Sequence, residues 1–259
     1  MSAAVTLWSK HMVKSIHNQM EMTGMLIQPI LWVVLFGVGM GSLLGPSMPG
    51  GEDIYITFML PGIIALTASG GAIAGGSTWL NERLQGIVKE YLAAPIPRLS
   101  ILMGNALSTV SKGLIQSLII LIVGIIVGAN MTTNPLGWLG GLVLVAGFTL
   151  GFAGIALSMA SSTDNMGAYH SMIMLLNLPL LFLSNALYPL ETMPTWMRIG
   201  ALINPTTYVV TGLRYMLLEN GAEFAKVDTI PLWLCFVAIT IFTALGMWLA
   251  SSAFKKSLK

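Results

Sequence analysis

Six apolar runs, each about long enough to cross a bilayer as a helix, leave this sequence few other ways to fold. They lie at about Met25–Leu44, Thr57–Leu80, Met103–Gly128, Leu136–Ala160, Met166–Tyr188 and Ile230–Ser252. A helix needs roughly 20 apolar residues to span the hydrocarbon core. Only 8% of the 259 residues are charged and 55% are hydrophobic, whereas soluble domains carry about 25% charged residues. The mean hydropathy is +0.82. The expected fold is therefore an all-α membrane protein with six transmembrane helices. The first run starts only at Met25 and has the length of a full span, so a retained helix is expected rather than a cleaved signal peptide.

The charges that remain are unevenly placed. Six spans put both termini on one side, together with Lys10, Lys14, Arg83, Lys89, Arg98, Lys112, Lys255, Lys256 and Lys259. The other side holds Arg198, Arg214 and Lys226, with six acids: Glu52, Asp53, Glu191, Glu219, Glu223 and Asp228. The bias of Lys and Arg places both termini in the cytoplasm of a cell (plasma) membrane protein. Lys112, one or two turns into the third span, is expected to snorkel to that surface. Residues 1–24 read as a cytoplasmic interfacial helix, 25–253 as the spanning domain and 254–259 as a basic cytoplasmic tail.

Within the first of these segments, Val5, Trp8, Met12, Ile16 and Met20 share one helical side, and Lys10, Lys14, His17 and Glu21 the other. This suits a helix in the membrane interface beside lipid headgroups, with His11 and His17 solvated. Pro29 predicts a kink in the first span. Gly71-x-x-x-Gly75 and Ala72-x-x-x-Gly76 in the second span allow close helix approach, chiefly within the subunit. In the fifth span His170, Asn177 and Asn185 are polar groups that need partners. They either line a substrate path or are satisfied by neighbouring helices. Cys235 is the only cysteine, so no intrachain disulfide and no metal site are expected.

Tyr188–Asp228 is too polar and proline-rich to span, and reads as two short helices. One starts near Pro194 and runs through Trp196. The other has Asn204 as its cap and Pro205 at its first position, with Asn220-Gly221 closing it. Trp196, Tyr208 and Tyr215 suit interfacial anchors.

The densest run of charge is Asn81–Arg98, with Glu82, Arg83, Lys89, Glu90 and Arg98. Leu84, Ile87, Val88, Tyr91 and Leu92 fall on one face of a helix, and Glu82 is expected in its first turn. Pro95 and Pro97 end that helix. It either rests on lipid or docks on a soluble partner. No Asp or Glu falls within a predicted span, so a carboxylate-based secondary carrier has no obvious coupling residue. A partner-independent channel built on backbone carbonyls stays open as the alternative. The chain has no Gly-x-x-x-x-Gly-Lys-Ser/Thr loop with which to hold ATP. Active transport would have to draw its energy from another polypeptide, through the Asn81–Arg98 segment.

Two stretches resemble the ABC type-2 export permeases, a family that includes daunorubicin-type drug, nodulation-factor and polysaccharide exporters. The first is Asn81-Glu82-Arg83, Gly86, Lys89-Glu90-Tyr91-Leu92 and Pro95-Ile96-Pro97-Arg98. The second is Tyr188-Pro189, Pro194-Thr195-Trp196, Asn204-Pro205-Thr206-Thr207-Tyr208 and Arg214. The resemblance implies a transmembrane permease subunit, not itself an enzyme, that moves an amphipathic or lipid-like cargo (drug, lipid or glycan) outward. It implies a separate cytoplasmic ATP-binding-cassette ATPase that binds ATP and Mg, and a second copy or related permease; this chain itself needs no cofactor and no nucleic acid. It makes Glu82, Arg83, Gly86, Lys89, Glu90, Pro95 and Arg98 candidates for ATPase coupling or for a hinge with the first helix. Pro189, Pro194, Trp196, Asn204, Pro205, Tyr208 and Arg214 would belong to short re-entrant helices at the outer exit.

Overall fold

The computed structural model describes residues 3–40, 52–219 and 230–257. Ten α-helices are described. The first four are α1 (Ala3–His17), α2 (Gln19–Trp32), α3 (Glu52–Leu84) and α4 (Ile87–Ala93). There follow α5 (Arg98–Ile126), α6 (Pro135–Ser161), α7 (Met166–Phe182), α8 (Thr195–Ile203), α9 (Pro205–Leu217) and α10 (Leu232–Ser257). A π-helical stretch, Val33–Met40, continues α2, and a 3-10 turn, Leu190–Thr192, precedes α8. No strand occurs among the described residues, only an isolated bridge between Met131 and Leu218.

Four described helices are long and apolar enough to cross a membrane: Tyr55–Leu84, Leu99–Ile126, Pro135–Ser161 and Leu232–Phe254. They fall on the second, third, fourth and sixth expected spans. The first expected span begins in α2, which holds Pro29 inside the helix, and its last residues lie outside the described ones. The expected loop from Gly45 and the closing Asn220-Gly221 are largely or wholly outside them too. The fifth expected span ends early: α7 stops at Phe182 instead of Tyr188, because the backbone leaves the helical region at Leu183. Pro179 lies in its last turn, where it has no amide to donate back to the preceding turn.

Helix starts follow local chemistry. The Asn134 side chain accepts the Leu136 amide at 3.0 Å, with Pro135 at the first helical position. Asn165 caps α7 through the amides of Gly167 and Ala168. Each supplies an acceptor for amides that a helix start leaves unpaired.

α6 is the centre of the bundle, packing against α3, α5, α9 and α10. Its contact with α10 is close enough that a side chain on Gly154 would run into the backbone of Gly246, the small-residue packing that apolar spans use in place of a hydrophobic driving force. Gly71, Gly75 and Gly76 meet Gln116, Thr109 and Tyr169 of the same chain. Outward, α10 presents Trp233, Val237, Ile241, Leu245 and Trp248, all exposed. So wide an apolar surface belongs in lipid rather than water.

α1 corrects the expected helix faces. Leu7, His11 and Ser15 are its buried side, while Val5, Val13 and Ile16 are exposed. His11 is thus buried rather than solvated; His17 is exposed. Leu7 and Ala4 pack on Gly104 of α5, and the Trp8 indole donates to Ser111 Oγ at 3.0 Å. The helix therefore lies lengthwise on α5.

Candidate functional site

Two polar clusters stand out, at opposite ends of α3. The first forms where α3 gives way to α4. The expected single helix from Asn81 is instead broken: Glu82 and Arg83 end α3, and α4 begins at Ile87. Gly86 makes the elbow with φ +82°, a left-handed conformation that costs an L side chain about 1–2 kcal/mol. Glu82 therefore sits in a last turn, where the helix dipole disfavours a negative charge. It is also only 1% exposed.

Its charge is met from α1 and α4. Lys10 Nζ lies 3.4 Å from Glu82 Oε1, and His11 Nδ1 lies 3.8 Å from the same oxygen. The Tyr91 hydroxyl donates to Glu82 Oε2 at 3.3 Å and accepts from Lys10 Nζ. Three helices are thus joined through one carboxylate. Burial pulls the Lys10 ammonium down, but the Tyr91 bond and the Glu82 charge outweigh it and hold its pKa above the usual lysine value. Burial holds His11 below the ordinary imidazole value; Glu82 opposes this, while Lys10, Lys112 and Lys14 reinforce it. Burial also raises the Tyr91 phenol.

Arg83 faces the other way. It donates to the carbonyls of Ala160 (3.2 Å), Ser161 (2.7 Å) and Thr163 (3.1 Å), and to the Asp164 carboxylate. Those carbonyls belong to the end of α6 and the turn after it, which have no helical amides to satisfy them. Lys89, Glu90 and Pro95 are exposed. Arg98 is the first residue of α5.

The second cluster forms at the far end, where α7 breaks. The Asn204 amide donates to the carbonyls of Leu180 (2.7 Å) and Leu183, while its oxygen caps α9 through Thr206 N at 2.9 Å. Arg214 is fully buried. Its guanidinium donates to Asn185 O at 2.7 Å and lies 3.8 Å from the centroid of the Phe58 ring. The Asn185 amide donates to Thr211 Oγ1 at 2.7 Å. Side chains of α9 thus replace the partners that a continued α7 would have supplied, which is how broken backbone is tolerated at membrane depth.

A model of the ABC-2 type transporter family matches residues 3–218 of this chain. The chain belongs to that family. It is similar to the ycf38 protein of Porphyra purpurea, 31% identical over 78% of this chain and 69% of that one. It is similar to the daunorubicin resistance ABC transporter permease protein DrrB1 of Streptomyces coeruleorubidus, 25% identical over 95% and 85%. The inner membrane transport permease YadH of Escherichia coli (strain K12) is 23% identical over 93% and 90%. The resemblance drawn from the two motifs is therefore correct at the level of the family. The chain is a multi-pass membrane permease of a family that generally works with an ATP-binding subunit.

For an ABC-2 permease, the predicted site residues fall out as follows. Lys89, Glu90 and Pro95 offer surface, whereas Glu82 is interior and Arg83 ties α3 to α6. Pro189 precedes the 3-10 turn, and Pro194 precedes α8. Trp196 is largely exposed, and the Tyr208 hydroxyl donates to Leu202 O at 2.6 Å. His170, Asn177 and Asn185 are not brought together. His170 is exposed and its ring bonds Met166 O, Asn177 is half-buried, and Asn185 lies inside the Arg214 cluster.

A further polar surface was not singled out from sequence. Asn105, Ser108, Thr109, Lys112 and Gln116 recur at helical spacing along α5 and face inward. Lys112 borders a polar cavity with α1 and α3. It lies about 20 Å along α5 from Arg98, at 1.5 Å per residue. Reading polar residues by the 3.6 period inside an apolar run would have found this stripe.

Proposed function

We propose that this chain is the membrane-spanning subunit of an exporter driven by ATP that a separate cytoplasmic ATPase hydrolyses. Two permeases pair, each with six spans and both termini in the cytoplasm of the plasma membrane. α4 is the docking helix. Force applied to exposed Lys89 and Glu90 turns α4 about Gly86 and passes through Tyr91 and Glu82 to Lys10 on α1. The observation that carries this reading is the three-helix tie at Glu82, set directly behind an exposed helix. Short helices α8 and α9 sit at the outer exit, held by Asn204 and Arg214. A relative named for daunorubicin resistance supports an amphipathic or lipid-like cargo, as do spans with very few charges.

The test is purification in mild detergent with the candidate ATPase co-expressed. The intact permease is expected to retain an ATP-hydrolysing partner, and Lys89→Ala with Glu90→Ala to lose it. A permease that captures no ATPase, yet conducts solutes by itself in liposomes, would establish the channel or carrier alternative.

A further inference from the structure

A groove of about 530 Å³ opens where the turn between α5 and α6 meets the end of α9. That volume is in the range of small-molecule sites. Backbone contacts fix its shape. The Thr132 amide donates to Leu217 O at 2.8 Å, the Glu219 amide donates to Asn130 O at 3.4 Å, and Met131 bridges to Leu218. These contacts bring Glu219 into one groove with Trp138 of the first turn of α6.

Glu219 is the only charged residue among those that line the groove. Its side chain is exposed, and among the described residues no cation pairs with it. An anion finds little here, although a helix begins at the groove. Asn134 already accepts the Leu136 amide, and Pro135 has no amide to give. The Trp138 indole N–H is spent on Thr132 O at 2.9 Å. What Trp138 offers a ligand is therefore its π surface, which attracts cations.

The kind of cation follows from the rest of the wall. A metal ion such as Ca²⁺ needs six or more oxygen ligands, several of them commonly carboxylates, whereas this groove has one carboxylate. Ile125, Met131 and Trp138 make much of its lining apolar. A carboxylate beside an indole and aliphatic side chains is the chemistry that holds a substituted ammonium group. The field favours it too. The membrane side to which the sequence assigns Glu219 holds six acids against Arg198, Arg214 and Lys226, which raises the local concentration of cations.

We infer that this groove binds an organic ammonium ion with apolar substituents, Glu219 supplying the counter-charge and Trp138 the cation–π contact. The inference rests on the fold alone and stands whether or not an ATPase drives the protein.

The test uses the full chain alone in neutral detergent. Calorimetry follows titration with benzyltrimethylammonium, with phenylacetate as the anionic control and dioctanoyl phosphatidylcholine as a lipid carrying the same headgroup chemistry. Both contacts are partly solvated, so Glu219→Gln and Trp138→Leu are each expected to weaken ammonium binding about 2- to 5-fold, and the double variant about 10-fold. Trp138→Phe keeps a ring and should retain most of the affinity. Glu191→Gln removes another exposed acid of the same side and should bind as the parent does. Thermal melting checks folding; if Trp138→Leu is unfolded, Glu219→Gln and Trp138→Phe decide. Unchanged affinity in Glu219→Gln overturns the inference. So does an equal loss in Glu191→Gln, which would make the binding a diffuse surface effect, and so does phenylacetate binding as tightly as the ammonium ion. Phosphatidylcholine binding more tightly than benzyltrimethylammonium, with the same dependence on Glu219, upholds the site and makes a lipid headgroup its source; the reverse order upholds it for a free amine. Because no ATPase is present, none of these results bears on ATP-driven transport.

Discussion

Arg83 and Arg214 each take up carbonyl oxygens that a helix end or a chain break leaves without amides, but in opposite surroundings. Arg83 has a side chain 21% exposed, and its acidic partner Asp164 is 84% exposed. Arg214 has no exposure and sits against an aromatic ring. The Glu82–Arg83 end is built from titratable side chains next to an exposed helix, so charge, pH and a partner can all reach it. The Arg214 end is built from backbone carbonyls and buried amides, so little in solution can reach it. One end is fitted to respond and the other to hold still.

The largest effect that would sharpen this contrast is Arg214→Met. It leaves the Asn185 carbonyl without its donor, at about 1–3 kcal/mol, and removes the desolvated cation–π contact with Phe58, at about 2 kcal/mol. Arg214→Lys should recover little, because an ammonium cannot reproduce the planar fork or stack on Phe58 in the same way. Thermal melting in detergent, with size-exclusion profiles, reads both. Equal stability of parent and methionine variant would remove the rigid half of the comparison.

Next comes Arg83→Gln, which loses hydrogen bonds to three carbonyls and is expected to cost about 1–3 kcal/mol. Replacing Asp164 with Asn should change stability by less than about 1 kcal/mol, as for other exposed ion pairs. If Asp164→Asn proved as harmful as Arg83→Gln, the carbonyls would not be what Arg83 is there to satisfy.

A smaller effect is expected from pH. His11 has its pKa lowered in the folded protein. Its contribution is complete above the ordinary imidazole value of about 6.5 and is lost as the pH falls through the lowered value. Lys10 runs the other way: its pKa is raised, so its contribution persists through neutral pH and is lost only as alkali passes the raised value. α1 should therefore loosen from α5 in mild acid. Protease protection or cross-linking of α1 to α5 at pH 7.5 and 5 measures this, and His11→Asn should abolish the acid sensitivity. At the Arg214 end the same pH change should do nothing measurable.

The smallest effect on the permease by itself is predicted for Lys89→Ala with Glu90→Ala. Both side chains are exposed, so stability should move by less than about 0.5 kcal/mol.

How far these clusters could be read from the sequence depends on what each residue touches. Asn204-Pro205 announced a helix start because cap and first position are adjacent in the chain, and Pro95 and Pro97 announced a break for the same reason. The long apolar helices were legible by length and composition. The elbow was not: the apolar face predicts one unbroken helix through Gly86, whereas only the backbone reveals φ +82°. Glu82 is expected in the first turn of its helix, and its burial was not legible because Lys10, its partner, is 72 positions away. Nothing local could show that α1 turns Lys10 and His11 toward it. His11 was misread on the same ground, since a histidine among lysines on a short helix looks solvated until a second helix covers it. The early end of α7 depends on Asn204 and Arg214 from later in the chain, which make the break at Leu183 tolerable.

The central claim is that α4 receives a partner's force and that the Glu82 tie passes it to α1. The most direct measurement is ATP hydrolysis by the reconstituted permease–ATPase complex carrying Tyr91→Phe. That change leaves Lys89 and Glu90 in place but removes the hydroxyl that donates to Glu82 and accepts from Lys10. The account predicts that the ATPase still binds with parental affinity, while its turnover no longer responds to the permease. Full response with the hydroxyl gone would contradict the account, because the force would then reach the spans by a route that does not pass through Glu82.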